Sequence, residues 1–503
     1  LSSVAGFCKS LTVNAQATLT ETVALTVANT LIMDGTMTHT GAITANGDVF
    51  VGGNWTASSN LTVAKNFSIQ SSGVYKSSTA PGGSVFSLTV NGNDAVVRVD
   101  GTLGGTTTGN STVGEGIRLY LAGSGSPTVT GTGVVNIARF QPTGNNIQNI
   151  IFDMDMNFGN NSIQSSGINT LSLLSGTSNK TLTINAGKTV KISNPNGSFH
   201  SPANATEDNT VAALKLGGTQ NFGNMTYNIL GTLDVSQAHF VVYSNTSTSN
   251  PSAVQTIAIN VGSQGTLKLG SDVRMAKNVA TQNIFVNVAD GGVIDASTVP
   301  LNLTTAPISA NGHTTNGSGQ LWFTMAPNAL YKQAVSAGVA TPLWVGVSNA
   351  NYNPVTIIPS ATTVVETSVQ TGFSPSGLST QTTDKAVNRT WSLKTNNAVS
   401  SSLKFGFNAS DLNAASSTSQ NMKLIRFNTL TNAWEKVGNS TPQVGQNNTF
   451  TVSYDNVSPL SSFVLSNRYY VPVNITNLSS FYCKNAPAVT LTGTPSGGTF
   501  TVD

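Results

Sequence analysis

Apolar and polar residues alternate with period two through most of the chain. Segments such as SLTVNAQATLT (10–20) and TLTINAGKTVKI (181–192) place an apolar-x-apolar triplet before a small or glycine-containing turn and a second triplet. Successive side chains of a strand point to opposite faces, so each triplet offers one apolar face. One such unit cannot cover that face alone, whereas coaxial stacking of many units can. Residues 10–305 therefore predict a parallel β-helix-like solenoid.

Long polar excursions interrupt this pattern at irregular intervals. They cover residues 76–83, 104–116 and 193–209. We interpret them as loops inserted at the corners of the solenoid. A pair of ordinary β-sandwiches is the alternative interpretation, although the even spacing of hairpin turns that is typical of sandwiches is not seen in this half of the sequence.

The strand pattern changes after residue 306. Four of the five tryptophans lie beyond this point, together with nine short, bulkier strand-like runs separated by turn residues. Such a succession is typical of an antiparallel β-sandwich, which we predict over residues 307–468. Residues 469–480 (YYVPVNITNLSS) predict an extended linker. The expected fold is thus all-β and elongated, with a solenoid over residues 1–306 followed by the sandwich.

The low charge of the chain excludes some classes of binding partner. Charged residues make up 9% of the chain, against roughly 25% in ordinary soluble domains, and the net charge is only +3. No basic stripe that would attract nucleic acid or an anionic membrane is evident. No apolar run approaches the ~20 residues of a membrane span. We therefore expect neither a nucleic-acid partner nor membrane insertion.

Two aspartates are the best local candidates for chemistry. Asp153 and Asp155 stand in the sequence IIFDMDMNF, and residues i and i+2 of a strand share a face about 6.6 Å apart. That spacing suits a shared cation such as structural Ca²⁺, or acid/base work. The alternation with Phe152, Met154 and Met156 favours a simpler interpretation, in which the aspartates mark the solvent side of a half-buried strand. We predict no catalytic and no cofactor-binding residue, and leave the pair as weak candidates for metal binding.

Histidines and aromatic residues supply no clear site. The histidines are scattered without metal-ligand spacing, at His39, His200, His239 and His313. Several aromatic residues would form a sugar-stacking strip if they projected from one face, although packing in the core or under loops is the competing interpretation. These are Trp55, Tyr75, Tyr120 and Tyr243.

The last residues of the sequence carry a family resemblance. Residues 481–502 (FYCKNAPAVTLTGTPSGGTFTV) hold two strand-like runs around a Pro-Ser-Gly-Gly turn, which predicts a hairpin. This segment resembles the Ig-like (PKD-like) repeats of large bacterial surface adhesins exported by the type IX secretion system, through Tyr482, Cys483, Leu491, Thr492, Gly493, Pro495, Gly497, Gly498, Thr499 and Phe500. The resemblance implies an incomplete Ig-like domain over residues 481–503 that continues beyond the visible chain.

The two cysteines are not expected to form a disulfide with each other. If the domains follow one another end to end, Cys8 and Cys483 lie too far apart for a disulfide, which needs Cα atoms within about 7 Å. The resemblance implies that Cys483 pairs with a cysteine in the missing part of its repeat. An oxidising, extracellular setting fits this arrangement.

Two further stretches resemble the same proteins. The sandwich region is similar to the module that follows β-helical regions in type IX cargo proteins, through Val387, Arg389, Thr390, Trp391, Leu393, Phe405, Phe407, Asn408, Leu424, Arg426, Phe427, Trp434, Phe463 and Leu465. The sequence around Cys8 (CKSLTVNAQATLT) resembles the first β-helical turns of such proteins, with Gln16 where they have Gly.

These observations lead to an expected function with two alternatives. We expect a non-catalytic, extracellular cell-surface adhesin or fibre component, whose partners are a glycan or other cell-surface ligand, or copies of itself, and the type IX secretion machinery. One alternative is a secreted β-helix polysaccharide lyase or hydrolase with Asp153 and Asp155 at its cleft. The other is a self-assembling filament subunit whose exposed strand edges pair with a neighbouring copy.

Overall fold

The structure is a computed structural model with two compact units. It describes residues 6–78, 86–105, 116–143, 147–159, 169–171, 173, 178–193, 198–199, 205–207, 214–216, 223–244, 256–270, 272–277, 283–300, 302–303, 323–348, 350–414, 416–445, 449–470, 474–476, 490 and 492–494. The first unit comprises Leu1–Ala334 and Ser348–Ala350, and the second comprises Val335–Val347 and Asn351–Asp503.

The first unit consists of short strands that stack in parallel. Each turn of the chain, here called a rung, contributes one strand to each of three sheets in the constant order A, B, C. Leu25 of the second rung lies opposite Gly6 of the first in sheet A, and Leu31 lies opposite Leu11 in sheet B. Twelve rungs repeat this arrangement in the part of the chain that the structure describes. The predicted β-helix-like solenoid is confirmed.

The strands of the three sheets are short because each spans only one side of a rung. Sheet A contains Gly6–Cys8, Leu25–Val27, Ile43–Ala45, Leu61–Val63, Phe86–Val90, Ile117–Leu121, Arg139–Pro142, Asn169–Leu171, Ser198–Phe199, His239–Ser244, Asp272–Lys277 and Asn302–Leu303. Sheet B contains Leu11–Val13, Leu31–Met33, Val49–Val51, Phe67–Ile69, Val96–Val99, Thr128–Thr130, Asn149–Asp153, Lys180–Ile184, Met225–Ile229, Thr256–Val261, Asn283–Val288 and Phe323–Met325. Sheet C contains Thr18–Glu21, Thr36–His39, Asn54–Ala57, Val74–Ser77, Thr102–Gly104, Val134–Ile137, Met156–Phe158, Thr189–Ile192, Thr232–Val235, Thr266–Leu269, Val293–Pro300 and Leu330–Val335.

Alternate residues fill the interior of the solenoid in strands whose side chains the structure describes. In sheet C, Met37, Trp55, Tyr75 and Leu103 occupy the same position in four successive rungs and are all fully buried. The rings of Trp55 and Tyr75 meet edge to face, with centroids 5.3 Å apart. Each rung therefore covers the apolar face of its neighbour, which is the stacking that the sequence pattern requires.

Glycine allows the corners of neighbouring rungs to approach closely. A Cβ atom on Gly53 would lie 1.9 Å from the carbonyl oxygen of Gly35 in the rung before. No side chain fits at that distance, so the corner before this sheet C strand admits only glycine.

A β-hairpin is inserted into the ninth rung. Its antiparallel strands, Ala205–Glu207 and Leu214–Leu216, follow the sheet A strand Ser198–Phe199 and precede the sheet B strand Met225–Ile229. The excursions predicted at 76–83 and 104–116 begin within the sheet C strands Val74–Ser77 and Thr102–Gly104, while most of their residues lie outside the described part of the chain.

The second unit contains two five-stranded antiparallel sheets, D and E. Trp391 of sheet D packs edge to face on Phe405 of sheet E, with ring centroids 5.3 Å apart, so the two faces enclose a core. The antiparallel sandwich predicted from the sequence is confirmed. In spatial order, sheet D contains Thr363–Thr371, Arg389–Thr395, Ser462–Ser466, Met422–Asn428 and Ala433–Ser440. Sheet E contains Thr341–Leu343, Val355–Pro359, Ser401–Asn408, Thr449–Val457 and Gln443–Val444.

Shorter elements complete the described chain. They are the strands Val345–Ser348 and Asn351–Tyr352, the helix Thr380–Thr383, the 3-10 helix Ala409–Asp411, and the antiparallel pair Asn474–Thr476 and Thr492–Thr494.

Parallel stacking extends past the boundary expected at residue 306. Phe323–Met325 pairs with Asn283–Val288, and Leu330–Val335 pairs with Val293–Pro300, each in parallel. The division between the two compact units accordingly falls later in the chain, near Val335. Most of the linker predicted at 469–480, and of the Ig-like segment predicted at 481–503 with its Cys483, lies outside the described residues.

Candidate functional site

The outer face of sheet A carries a column of hydroxyl side chains. Thr26, Thr44, Thr62 and Thr89 occupy the same outward position in rungs two to five. All four are half-buried, because neighbouring rungs shield their sides. In the sixth rung Tyr120 takes this position, directly in register with Thr89.

Two arginines lie beside this column in rungs six and seven. Arg118 is opposite Arg139 in the parallel register, and Tyr120 is opposite Gln141. In each strand the arginine and its companion are two residues apart, so all four side chains project from the outer face. We call these four residues the arginine patch. Their partners in the interior are the fully buried Leu119 and Phe140, which anchor the two strands.

Within the part of the chain that the structure describes, no ion pair neutralises the positive charge of the arginine patch. The Nε atoms of Arg118 and Arg139 are both buried, and within the described part of the chain neither has a hydrogen-bond partner. Nη2 of Arg139 donates to Oε1 of Gln141 at 3.0 Å. Burial lowers the pKa of Arg139; Tyr120 raises it, and the positive charge of Arg118 lowers it further. Two like charges are thus held side by side on a rigid sheet.

Some arginines elsewhere in the chain form ion pairs with acids, as Arg98 and Arg426 show. Nε of Arg98 lies 2.6 Å from Oδ2 of Asp100 on the surface of the solenoid. In the second unit Arg426 pairs with Glu435. The arginine patch differs from both pairs. In the described structure its two arginines lie beside each other, and neither forms an ion pair with a carboxylate.

The outer face of sheet C carries a ladder of alternating charge. Lys191, Asp234, Lys268, Asp295 and Lys332 occupy equivalent outward positions in rungs eight to twelve. Strands in a sheet are about 4.8 Å apart, so Asp234, Lys268 and Asp295 each have a charge of opposite sign on the rung before and on the rung after. This alternation favours stacking in one register.

Asp153 and Asp155 do not share one strand. The sheet B strand ends at Asp153, and Asp155 lies in the turn before the sheet C strand Met156–Phe158. Oδ1 of Asp153 accepts from Nδ2 of Asn185 at 2.9 Å, and Oδ1 of Asp155 accepts from the backbone N–H of Thr189 at 2.6 Å. Each carboxylate therefore ties its rung to the next one.

The apolar residues that alternate with these aspartates point to the opposite side of the chain. Phe152, Met154 and Met156 point inward and are buried, while Asp155 is exposed. Nowhere in the described ranges do three or more His, Cys, Asp or Glu side chains come together in a group that could hold a metal ion.

The aromatic residues considered as a sugar-stacking strip separate into two groups. Trp55 and Tyr75 are fully buried in the core, as the packing interpretation expects. Tyr120 alone among those with a described side chain lies on an outer face. The side chain of Tyr243 lies outside the described part.

The histidines likewise have separate environments. His39 is buried in the solenoid, where Trp55 donates to its Nδ1. His239 begins the sheet A strand His239–Ser244, and its side chain is not among those described. His200 and His313 lie outside the described residues.

The sandwich motif noticed in the sequence encodes a buried polar network. Arg389 forms an ion pair with Asp411, and both side chains are almost entirely buried. Nδ2 of Asn353 donates to Oδ2 of Asp411 at 2.6 Å, and the indole of Trp391 donates to the carbonyl oxygen of Asn353 at 3.0 Å. The backbone N–H of Asn408 donates to Asp411 at 2.9 Å. These motif residues therefore hold the sandwich together, and sequence reasoning missed Asp411.

The sequence contains a signal for the arginine patch that was also missed. The segments IRLYL (117–121) and ARFQP (138–142) both contain an arginine, then an apolar residue, then a polar residue whose side chain ends in a hydroxyl or an amide. Only the register of the stack shows that these two segments are adjacent rungs.

Comparisons with known proteins do not identify a family for the chain. No protein-family model, curated protein or solved structure matches the chain. Among the described residues, no helix has the length and apolar character that crossing a membrane requires.

Proposed function

We propose that this chain is a non-catalytic adhesin or fibre component on the outside of the cell. The observation that carries the proposal is the arginine patch. The buried residues Leu119 and Phe140 anchor the two strands that carry the arginines, whose side chains project outward. Fixed hydrogen-bond donors on a rigid element suit recognition of a ligand.

The resemblance in sequence supports an extracellular location. The segment 481–502 and the sandwich motif resemble parts of surface adhesins exported by the type IX secretion system. The low content of charged residues fits a protein that presents a polar, uncharged surface. The export machinery and a cell-surface or glycan ligand are the partners that this proposal entails.

The arrangement of acidic groups gives less support to an enzyme. The glycan-cleaving alternative needs several acidic and basic residues on one sheet face, whereas Asp153 and Asp155 are separated by a strand end and are engaged with Asn185 and Thr189. The adhesin therefore remains our preferred function.

Immunogold electron microscopy of the producing cells tests the proposal. Antibody raised against residues 1–460 would label intact cells, cells lacking the gene would serve as the control, and the culture medium would be probed in parallel. We expect gold on the cell surface or on filaments attached to it. Antigen found mainly free in the medium would overturn the proposal, and cleavage of polysaccharides would then be assayed.

A further inference from the structure

We propose that the arginine patch binds the anionic group of an acidic polysaccharide, a carboxylate or a sulfate, with a sugar ring against Tyr120. This inference rests on the proposed function, since it names the ligand class of the same site. It follows from the charges, the dimensions of the patch and the column of residues beside it.

The charges of the patch select an anion. Arg118 and Arg139 are neighbours on adjacent rungs, and their Nε atoms are buried without a partner in the described structure. An N–H donor that is shielded from water and unpaired is costly. A carboxylate or sulfate between the two guanidinium groups would accept several charge-assisted hydrogen bonds and offset their repulsion.

The dimensions of the patch fit one charged sugar. Adjacent strands are about 4.8 Å apart, and residues i and i+2 of a strand about 6.6 Å apart. Tyr120 is two residues from Arg118 on one strand and diagonal to Arg139 on the next, so its aromatic ring can pack against the apolar face of a pyranose whose anionic group reaches the arginines.

The threonine column extends this surface along the stack. Thr89, Thr62, Thr44 and Thr26 continue in register from Tyr120, one hydroxyl on each rung. Hydroxyl groups both donate and accept hydrogen bonds, as sugar hydroxyls do. A linear polysaccharide that runs across the strands would meet a matching hydroxyl at every rung.

Nucleic acid fits this surface less well. Binding to a phosphate backbone relies on many cations spread along the contact, whereas this surface offers two arginines followed by uncharged threonines. Polyuridylate serves below as the probe for that competing ligand class.

The test compares two double variants of the full chain. R118Q/R139Q removes both charges of the patch. R98Q/K268Q removes two outward-facing charges of the same solenoid, each of which lies beside an aspartate. The two variants have equal net charge, and their thermal unfolding is measured first to show that both are folded.

Affinity electrophoresis would be run in gels containing polygalacturonate, dextran sulfate, neutral dextran or polyuridylate. We expect the wild type and R98Q/K268Q to be retarded equally by one or both acidic polysaccharides and by neither of the other polymers. R118Q/R139Q should bind the acidic polymer at least tenfold more weakly. Retardation by polygalacturonate alone identifies carboxylate as the preferred group, and retardation by dextran sulfate alone identifies sulfate.

Three results would overturn the inference. They are equal binding by R118Q/R139Q and the wild type, equal weakening in both double variants, and tighter binding to polyuridylate than to either acidic polysaccharide. Surface labelling of cells is independent of these assays. If the cells are labelled and the purified chain binds no acidic polysaccharide, the ligand class is wrong while the adhesin proposal stands.

Discussion

The indole Nε1 of Trp55 donates a hydrogen bond to Nδ1 of His39 within the core of the solenoid, at 2.7 Å. Nε2 of the same histidine lies 3.0 Å from the carbonyl oxygen of Ser59 and donates to it when the ring is neutral. A protonated ring would have no acceptor for Trp55. Burial lowers the pKa of His39 to about 4, against the weaker opposite effect of the hydrogen bond to Ser59.

This relationship predicts that stability declines in mild acid. Between pH 6.5, the ordinary pKa of histidine, and pH 4, the unfolded chain binds a proton that the folded chain excludes. The stabilisation from neutral His39 is complete above this window and is lost as the pH falls through it, by about 2–3 kcal/mol at pH 4.5. Urea unfolding followed by circular dichroism would measure the loss.

The variant H39Q provides the control for that measurement. Glutamine can accept from Trp55 and donate to Ser59 without titrating. We expect its unfolding free energy to vary less with pH than that of the wild type over this window. Parallel pH profiles for the two proteins would contradict the assignment.

A second prediction concerns the buried ion pair of the sandwich. D411N should lower the free energy of unfolding of the second unit by about 3–5 kcal/mol, because it leaves Arg389 charged and without its counter-ion in the core. The matched variant E435Q breaks the partly exposed pair with Arg426 and should cost only about 0.5 kcal/mol. Differential scanning calorimetry of the full chain would compare the two variants. Equal losses of unfolding free energy would contradict the prediction that the buried pair contributes more.

A third prediction concerns the corner glycines. G53A should destabilise the solenoid by about 3 kcal/mol or more, since its Cβ would collide with the backbone of Gly35. In the control G187A the new Cβ meets no neighbouring atom, and the cost of about 1–2 kcal/mol arises from the positive φ of 74°. The measurement is chemical unfolding monitored by circular dichroism. A milder effect for G53A than for G187A would show that the rungs can separate at this corner.

The charge ladder of sheet C leads to a fourth prediction. K268E would place three acids in succession, with Asp234 and Asp295 on either side, and should destabilise the stack by about 1–2 kcal/mol at low salt. K76E makes the same exchange beside Thr56 and should have little effect. The difference between their melting temperatures should shrink in 1 M NaCl, where charges are screened. A difference independent of salt would exclude a charge-based origin.

The fold of the solenoid was predictable because its signal is local. Triplets such as Leu61–Val63 and Phe67–Ile69 bury their first and third residues, as the alternation of the sequence requires. The end of the parallel stack was harder to place. The strand Phe323–Met325 is as bulky as those of the sandwich, and only its pairing with Asn283–Val288 assigns it to the solenoid.

The candidate site was less predictable, since it depends on register between distant segments. Arg118 and Arg139 are 21 residues apart, a separation that equals one rung only because of the particular loop lengths between them. Asp411 also escaped notice, because the strand Ser401–Asn408 lies between it and the strand of its partner Arg389. Asp153 and Asp155 are two residues apart in sequence, but the sheet B strand ends at Asp153, so they do not share one strand as the spacing suggested.

The constant order of sheets A, B and C also bears on how the chain reaches its folded state. Among the described strands of the solenoid, each one between the first and last rungs pairs with the rungs immediately before and after it, so its partners are near in sequence. Loop-closure costs are thereby kept small and similar at each step. A chain that becomes available gradually from its amino end can add one rung after another to a template that is already complete.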